Sequence, residues 1–195
     1  MNSRIPVGIL FSTQGPYATV GRSMRDGAIL ALEEVNQDKR YPFELVPIEC
    51  EPAGDTAAYG THVRSLLRHE SVKHVIGCYT SSSRKEVIPI FEKYDGLLWY
   101  PSHYEGFETN NNVIYTGAVQ NQHVLPLMDH VLAHITRDVY FVGSNYVWAW
   151  ENGRIIRELT KAHGGKMIAE RYLQVGDLDV ARIIEEIHEK RPAFI

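Results

Sequence analysis

The feature that most constrains this chain is a regular alternation of short apolar runs with longer stretches of helical periodicity. Residues 6–11 are apolar, brief and closed by the turn-forming run Ser12-Thr13-Gln14-Gly15-Pro16, so they read as a buried strand. A helix is expected over 21–36, where Ala28, Ala31, Leu32 and Val35 recur at i, i+3, i+4 and i+7 and share one face. The same reasoning predicts strands at 43–49, 74–78, 97–100 and 113–115. Between them it predicts a helix capped by Asp55 or Thr56, with Tyr59, Val63, Leu66 and Leu67 as its buried stripe. Another is opened by the serines at 81–83, with Val87, Ile90, Phe91 and Tyr94 inward, and Pro89 is expected to bend it. Helices at 124–135, 152–163 and 178–190 then alternate with strands at 139–143 and 166–173. Such alternation predicts right-handed βαβ units and parallel sheets covered on both faces, an α/β fold.

Two features predict more than one domain. The stretch from 102 to 112 is polar and lacks periodicity, and Gly117-Ala118-Val119-Gln120-Asn121-Gln122 reads as a crossover between two sheets. Ala193-Phe194-Ile195 reads as the opening of a further strand, so the chain is expected to be a fragment of a longer protein.

Charge and composition exclude several classes. Lys plus Arg is 20 against 24 for Asp plus Glu, a net charge of −4, which offers no broad footprint for nucleic acid or an anionic membrane. No apolar run approaches the roughly 18–20 residues that span a bilayer. The early apolar run is too short for a signal peptide and is followed by no small-residue cleavage site, so a cytoplasmic location is expected. Two cysteines, Cys50 and Cys78, cannot make a disulfide scaffold.

The richest candidate site is the strand-to-helix turn Gly77-Cys78-Tyr79-Thr80-Ser81-Ser82-Ser83-Arg84-Lys85. It falls at the carboxyl edge of a sheet, where ligands of open α/β folds bind, and its helix start offers free backbone N–H groups to a carbonyl or carboxylate oxygen. The serines could equally do no more than cap the helix. Two other strand ends, Trp99-Tyr100-Pro101-Ser102 and the run from Ser144 through Tyr146 and Trp148 to Trp150, add rings and hydroxyls. Aromatic walls with a few polar groups are the composition of a small-molecule pocket, although the same rings could fill an interior or a partner surface.

Enzyme motifs fare worse. Ser82-Ser83-Arg84-Lys85 matches Ser-x-x-Lys without its Lys-Thr-Gly or Ser-Asp-Asn companions, and no glycine-rich nucleotide loop or Gly-x-Ser-x-Gly elbow occurs. His130 and His134 have metal-ligand spacing, but position 131 is valine and no third ligand is apparent, so they read as a solvated face. Cys78 could be a nucleophile beside a helix start, yet a packed core thiol is the simpler reading. Glu105 and Glu108 read as ordinary acids of a polar loop. No catalytic set, metal or cofactor emerges.

The string at 77–85, followed by Leu98-Trp99-Tyr100-Pro101-Ser102-His103-Tyr104-Glu105-Gly106-Phe107-Glu108, resembles one branch of the type I periplasmic-binding-protein folds. That branch contains the bacterial amide receptor and the urea-binding proteins of ABC transporters. The likeness extends through Tyr115–Gln122 and Gly143-Ser144-Asn145-Tyr146, and Glu49-Cys50-Glu51-Pro52-Ala53-Gly54-Asp55 leans toward the amide receptor. The resemblance implies two doubly wound parallel-sheet lobes, here truncated, with residues 1–119 forming most of lobe one and 120–195 the first part of lobe two. It implies a non-catalytic sensor of a short neutral amide or urea that regulates amidase expression by sequestering an RNA-binding antitermination protein. The alternative it carries is the solute receptor of a urea or short-amide ABC transporter; a homodimer is also compatible. It places Tyr79, Ser81, Tyr100 and Ser102 at the ligand from lobe one, and Tyr146 and Trp148 from lobe two. Ser102, His103 and Trp148 depart from the branch's usual residues, and a bulkier Trp148 is expected to narrow the pocket.

Overall fold

A computed structural model describes residues 3–69 and 72–195 of the chain. It resolves two compact units: residues 1–103 with 107–117, and residues 118–195 with 104–106. No helix among the described residues is long and apolar enough to cross a membrane.

The first unit is a five-stranded parallel sheet of β1 (Ser3–Leu10), β2 (Phe43–Cys50), β3 (His74–Gly77), β4 (Leu97–Tyr100) and β5 (Val113–Tyr115). The strands lie in the order β2-β1-β3-β4-β5. The chain moves outward from β1 to β2 and then crosses back to β3, so the order reverses between β1 and β3. Right-handed crossovers then put α1 (Ala18–Gln37) on one face and α2 (Thr56–His69) and α3 (Ser81–Tyr94) on the other. The side chains of β1 show this alternation directly. Val7 and Ile9 pack with Ala28 and Leu32 of α1, whereas a side chain at Gly8 would meet Leu66 of α2. The face under α2 and α3 is closed by Val63, Leu66, Val75, Val87, Phe91 and Leu98, each almost fully buried.

Helix α3 is anchored at its start by Thr80, whose hydroxyl accepts from the Ser83 N–H. Pro89 lies inside it without ending it. Asp55 accepts from the Ala57 N–H at the start of α2, as its sequence position led one to expect.

The second unit contains a two-stranded parallel sheet of β6 (Asp138–Ser144) and β7 (Lys166–Leu173), with a register irregularity between Val139 and Tyr140. A short 3-10 turn (Gln120–Gln122) leads into α4 (Val124–His134), and α5 (Val147–Ala162) and α6 (Ala181–Lys190) follow. Val139 packs with Val124, Met128 and Leu132 of α4 and Ile156 of α5. Tyr140 points the other way, and its hydroxyl donates to Glu186 of α6 at 2.8 Å. Glu186 also takes Arg171 and Lys190, which hold its carboxyl down at about 2.

Three expectations are corrected. Helix α5 begins at Val147 rather than 152, so the aromatic run after Tyr146 is helix, not loop. Helix α6 begins at Ala181 rather than 178. Residues 193–195 do not form a regular strand, although the Tyr140 N–H donates to the Phe194 carbonyl at 3.1 Å and Phe194 packs on the α4 cluster.

Candidate functional site

In a doubly wound sheet, ligands bind outside the carboxyl ends of the strands where the order reverses. In the first unit that point lies between the loops after β1 and β3. Those loops meet there: the rings of Tyr17 and Tyr79 pack edge-on with centroids 5.4 Å apart. Tyr17 belongs to this candidate rim and motif reading did not single it out, although its place in the loop after β1 could have done so.

The β3 loop is tightly built. Gly77 has no room for a side chain, since a Cβ would lie 2.5 Å from the Leu10 carbonyl oxygen. Cys78 follows with φ of +63°, a left-handed conformation disfavoured by residues other than glycine, and its N–H donates to that same carbonyl at 3.0 Å. The Cys78 side chain is wholly buried and desolvation pushes its thiol up to about 12, so it is a core group rather than a nucleophile at neutral pH.

Tyr79, Ser81, Tyr100 and Ser102 all come from the β3 and β4 ends of this unit, with distinct roles. Tyr79 is half-buried, whereas Ser81 and Ser102 are buried. Tyr100 is fully buried, and its hydroxyl donates to the Tyr79 carbonyl at 2.8 Å. Tyr100 thus ties the β4 end to the β3 loop. Its backbone carbonyl accepts from Thr116, and the Ser102 carbonyl lies so close to Gly117 that any side chain there would clash.

Beneath the loop lies a charged cluster that the sequence did not reveal. Arg84 is completely buried, its guanidinium 4.8 Å from the Tyr100 ring centroid. Its Nε donates to Glu108 at 2.8 Å, and Glu108 also accepts from Tyr115 at 2.6 Å and Lys85 at 3.1 Å. Burial alone would raise the Glu108 carboxyl, but the bonds from Tyr115 and Arg84 and the charges of Arg84 and Lys85 hold it below its ordinary value. Glu108 is therefore not the solvated loop acid it was expected to be. Trp99 also departs from expectation. Strand alternation turns it away from Tyr100, to the opposite face of the sheet, where its Nε1 meets His74 and it borders an apolar cavity of about 430 Å³.

A second hollow of about 470 Å³ lies beside β1 and β2. Its charged side chains have partners, Arg25 forked onto Glu49, Glu51 taking the Thr13 and Ala53 N–H groups and Arg22 donating to the Thr13 carbonyl.

In the second unit, Tyr146 and Trp148 sit at the carboxyl end of β6 and the start of α5. Tyr146 occupies the cap position in extended conformation, with no side-chain cap bond. The Trp148 ring stacks on His123 at 6.4 Å and 20°. Asn152, one turn on, donates to the Trp148 carbonyl and accepts from the Gln120 side chain. Gln120 Oε1 and Trp148 Nε1 are buried and have no hydrogen-bond partner among the described residues. Gln120 lies in the crossover string 117–122 with no role read for it, and Asn152 is 32 residues further on in no motif, so their bond is not legible locally.

His130 and His134 lie with ring centroids 5.0 Å apart on an exposed face, and no group of three metal-ligating side chains occurs among the described residues.

Residues 5–195 match the model of the periplasmic binding protein domain. The chain belongs to that family. Solved structures of the same fold include the branched-chain amino acid transporter substrate-binding protein LivJ of Streptococcus pneumoniae in complex with isoleucine. It has a TM-score of 0.86 and 19% identity, over 97% of this chain and 55% of that one. A solute-binding protein of an ABC transporter from Rhodopseudomonas palustris BisB5, in complex with 3,4-dihydroxybenzoic acid, has a TM-score of 0.88 and 14% identity over 97% and 52%. The leucine-binding protein LivK of Thermotoga maritima has a TM-score of 0.80 and 14% identity over 96% and 54%. This periplasmic-binding-protein domain thus spans about half the length of the solved structures it matches.

Proposed function

We propose that this domain belongs to a non-catalytic receptor for a short neutral amide, with Tyr79, Ser81, Tyr100 and Ser102 of the first unit and Tyr146 and Trp148 of the second serving the ligand. The observation that carries this reading is the state of the buried cation at the first unit's rim: Arg84 is already neutralised by Glu108. Isoleucine and dihydroxybenzoate, held by the LivJ and Rhodopseudomonas proteins, each carry a carboxylate. A short amide carries no charge and needs no counter-ion, only donors, acceptors and a wall for its small tail. Tyr100 contributes by fixing the Tyr79 backbone, and the rings of Tyr79 and Tyr17 supply the wall.

In the regulatory form of this reading the receptor acts in the cytoplasm. Amide binding favours one arrangement of the full protein, which releases an RNA-binding antitermination regulator and so permits amidase expression. A second reading, a solute receptor of a urea or short-amide ABC transporter, is favoured by the transport proteins among the solved structures of this fold.

Calorimetric titration of the intact protein with acetamide, butyramide, urea and acetate tests the proposal. Binding of a neutral amide well above acetate, without ammonia release, supports it; preference for acetate or turnover of the amide refutes it. Amide-dependent release of an RNA-binding partner separates the regulator from the transport receptor.

A further inference from the structure

We propose that Gln120, whose amide is oriented by Asn152, and Trp148, whose ring is held by His123, are the acceptor and donor by which the second unit reads the two ends of a primary amide. This rests on the receptor reading above and adds to it a specificity-determining residue, Gln120, and a chemical rule for the ligand.

The argument begins at a backbone carbonyl, which can only accept. Asn152 Nδ2 donates to the Trp148 carbonyl at 2.8 Å, and this fixes which way the Asn152 amide faces. Its oxygen must then point to Gln120, and only the Gln120 Nε2 can meet an oxygen at 3.1 Å as a donor. The Gln120 amide is therefore oriented as well, with Oε1 as its open end. Gln120 is 7% exposed and Asn152 4%, so water does not bathe this end as it would on a surface. Trp148 presents the complementary group. Its ring plane is set by the stack on His123, and its Nε1–H, a donor only, is buried with no bond in the described structure.

Native interiors seldom leave such groups unpaired, because each forfeits its hydration for nothing. A leucine at 120 and a phenylalanine at 148 would fill similar space without that penalty. An open acceptor on Gln120 and an open donor on Trp148 match a ligand presenting one N–H and one carbonyl. A primary amide or urea does so. A carboxylate would set a negative oxygen against Gln120 Oε1, and a ketone would leave that oxygen unpaired. A site whose polar groups expect a partner discriminates strongly against analogues lacking one.

The test compares acetamide with acetone, and butyramide with 2-pentanone, pairs in which the amide NH2 becomes a methyl group. Calorimetric titrations are made on the intact wild type, Gln120→Leu, Gln120→Met and Trp148→Phe, with melting curves of each ligand-free protein to confirm folding. The wild type is expected to prefer each amide to its ketone. The Gln120 variants are expected to weaken amide binding about tenfold while leaving the ketone unchanged, so the preference disappears. Trp148→Phe is expected to weaken amide and ketone alike, since both carry the carbonyl that Nε1–H would serve. Folded Gln120 variants that keep the wild-type preference overturn the assignment of Gln120 while leaving the receptor reading intact. A wild type that binds none of the four probes overturns the receptor reading, and the inference with it.

Discussion

The carboxyl rims of the two sheets are built from similar residue types but are finished differently. At the first, Glu108 gathers Arg84, Lys85 and Tyr115, the Tyr100 hydroxyl is spent on the Tyr79 carbonyl, and Thr80 caps α3. At the second, Gln120 Oε1 and Trp148 Nε1 remain open among the described residues, and Tyr146 provides no side-chain cap for α5. The contrast teaches that polar residues at a strand end need not all be ligand groups. Those of the first rim largely hold a strained loop in place around Cys78. Gln120 and Trp148 of the second retain unused hydrogen-bonding capacity, which is what recognition requires.

The contrast can be broken most decisively at Glu108. Replacing it with Gln keeps the shape of the side chain but takes the Glu108 carboxylate away from the buried Arg84 guanidinium. Removing one partner of a buried pair is expected to cost about 3 kcal/mol in a denaturant titration. An effect below about 1 kcal/mol, typical of exposed pairs, would mean that the first rim is no more self-contained than the second.

A pH titration sharpens the same point. The Glu108 carboxyl is depressed below its ordinary value of 4.5 despite its burial, by Tyr115, Arg84 and Lys85. A group with a depressed folded value binds its proton more tightly when unfolded, so its stabilisation is present above the ordinary value. It is lost as pH falls from that value through the depressed native one. Unfolding free energies measured between about pH 6 and pH 3 should therefore fall less steeply in Glu108→Gln than in the wild type. Parallel pH profiles for the two proteins would remove Glu108 from the account.

How much of this was legible in the sequence depends on the range of the interaction. Strands β4 and β5 begin and end where their apolar runs do, and β7 spans the expected 166–173 although Lys166, Glu170 and Arg171 interrupt its apolar residues. At α3 the serines read as the opening of the helix, but the cap is Thr80 just before them, whose hydroxyl acts within the same turn. The start of α5 was hidden because Tyr146 is not a capping residue and the following aromatics carry no start signal. The Arg84–Glu108 pair spans 24 residues and the Gln120–Asn152 bond 32, and no local pattern encodes which loop returns to which helix. Trp99 is a different case. Its neighbour Tyr100 faces the rim, so two-residue alternation alone already turns Trp99 to the opposite face.

Smaller effects compare the two helix starts. Thr80→Ala removes the oxygen that accepts from the Ser83 N–H, and should cost about 1 kcal/mol by chemical denaturation. A neutral result would show that the Ser82 and Ser83 hydroxyls, both within 3.0 Å of the Thr80 oxygen, can take over the cap.

The least of the expected changes runs in the opposite direction. Tyr146 already has the extended backbone of a cap residue, with φ of −157° and ψ of 167°, but its ring cannot accept from the N–H groups of α5. Tyr146→Ser puts a hydroxyl within reach of those donors and should raise stability by about 0.5 kcal/mol, after allowing for the packing of the lost ring. If the ring is retained for ligand contact rather than for folding, the same variant should bind butyramide more weakly while melting at a slightly higher temperature. A variant that loses stability and keeps its affinity would reverse both assignments, making Tyr146 a structural residue of the second rim and narrowing that rim's recognition to Gln120 and Trp148.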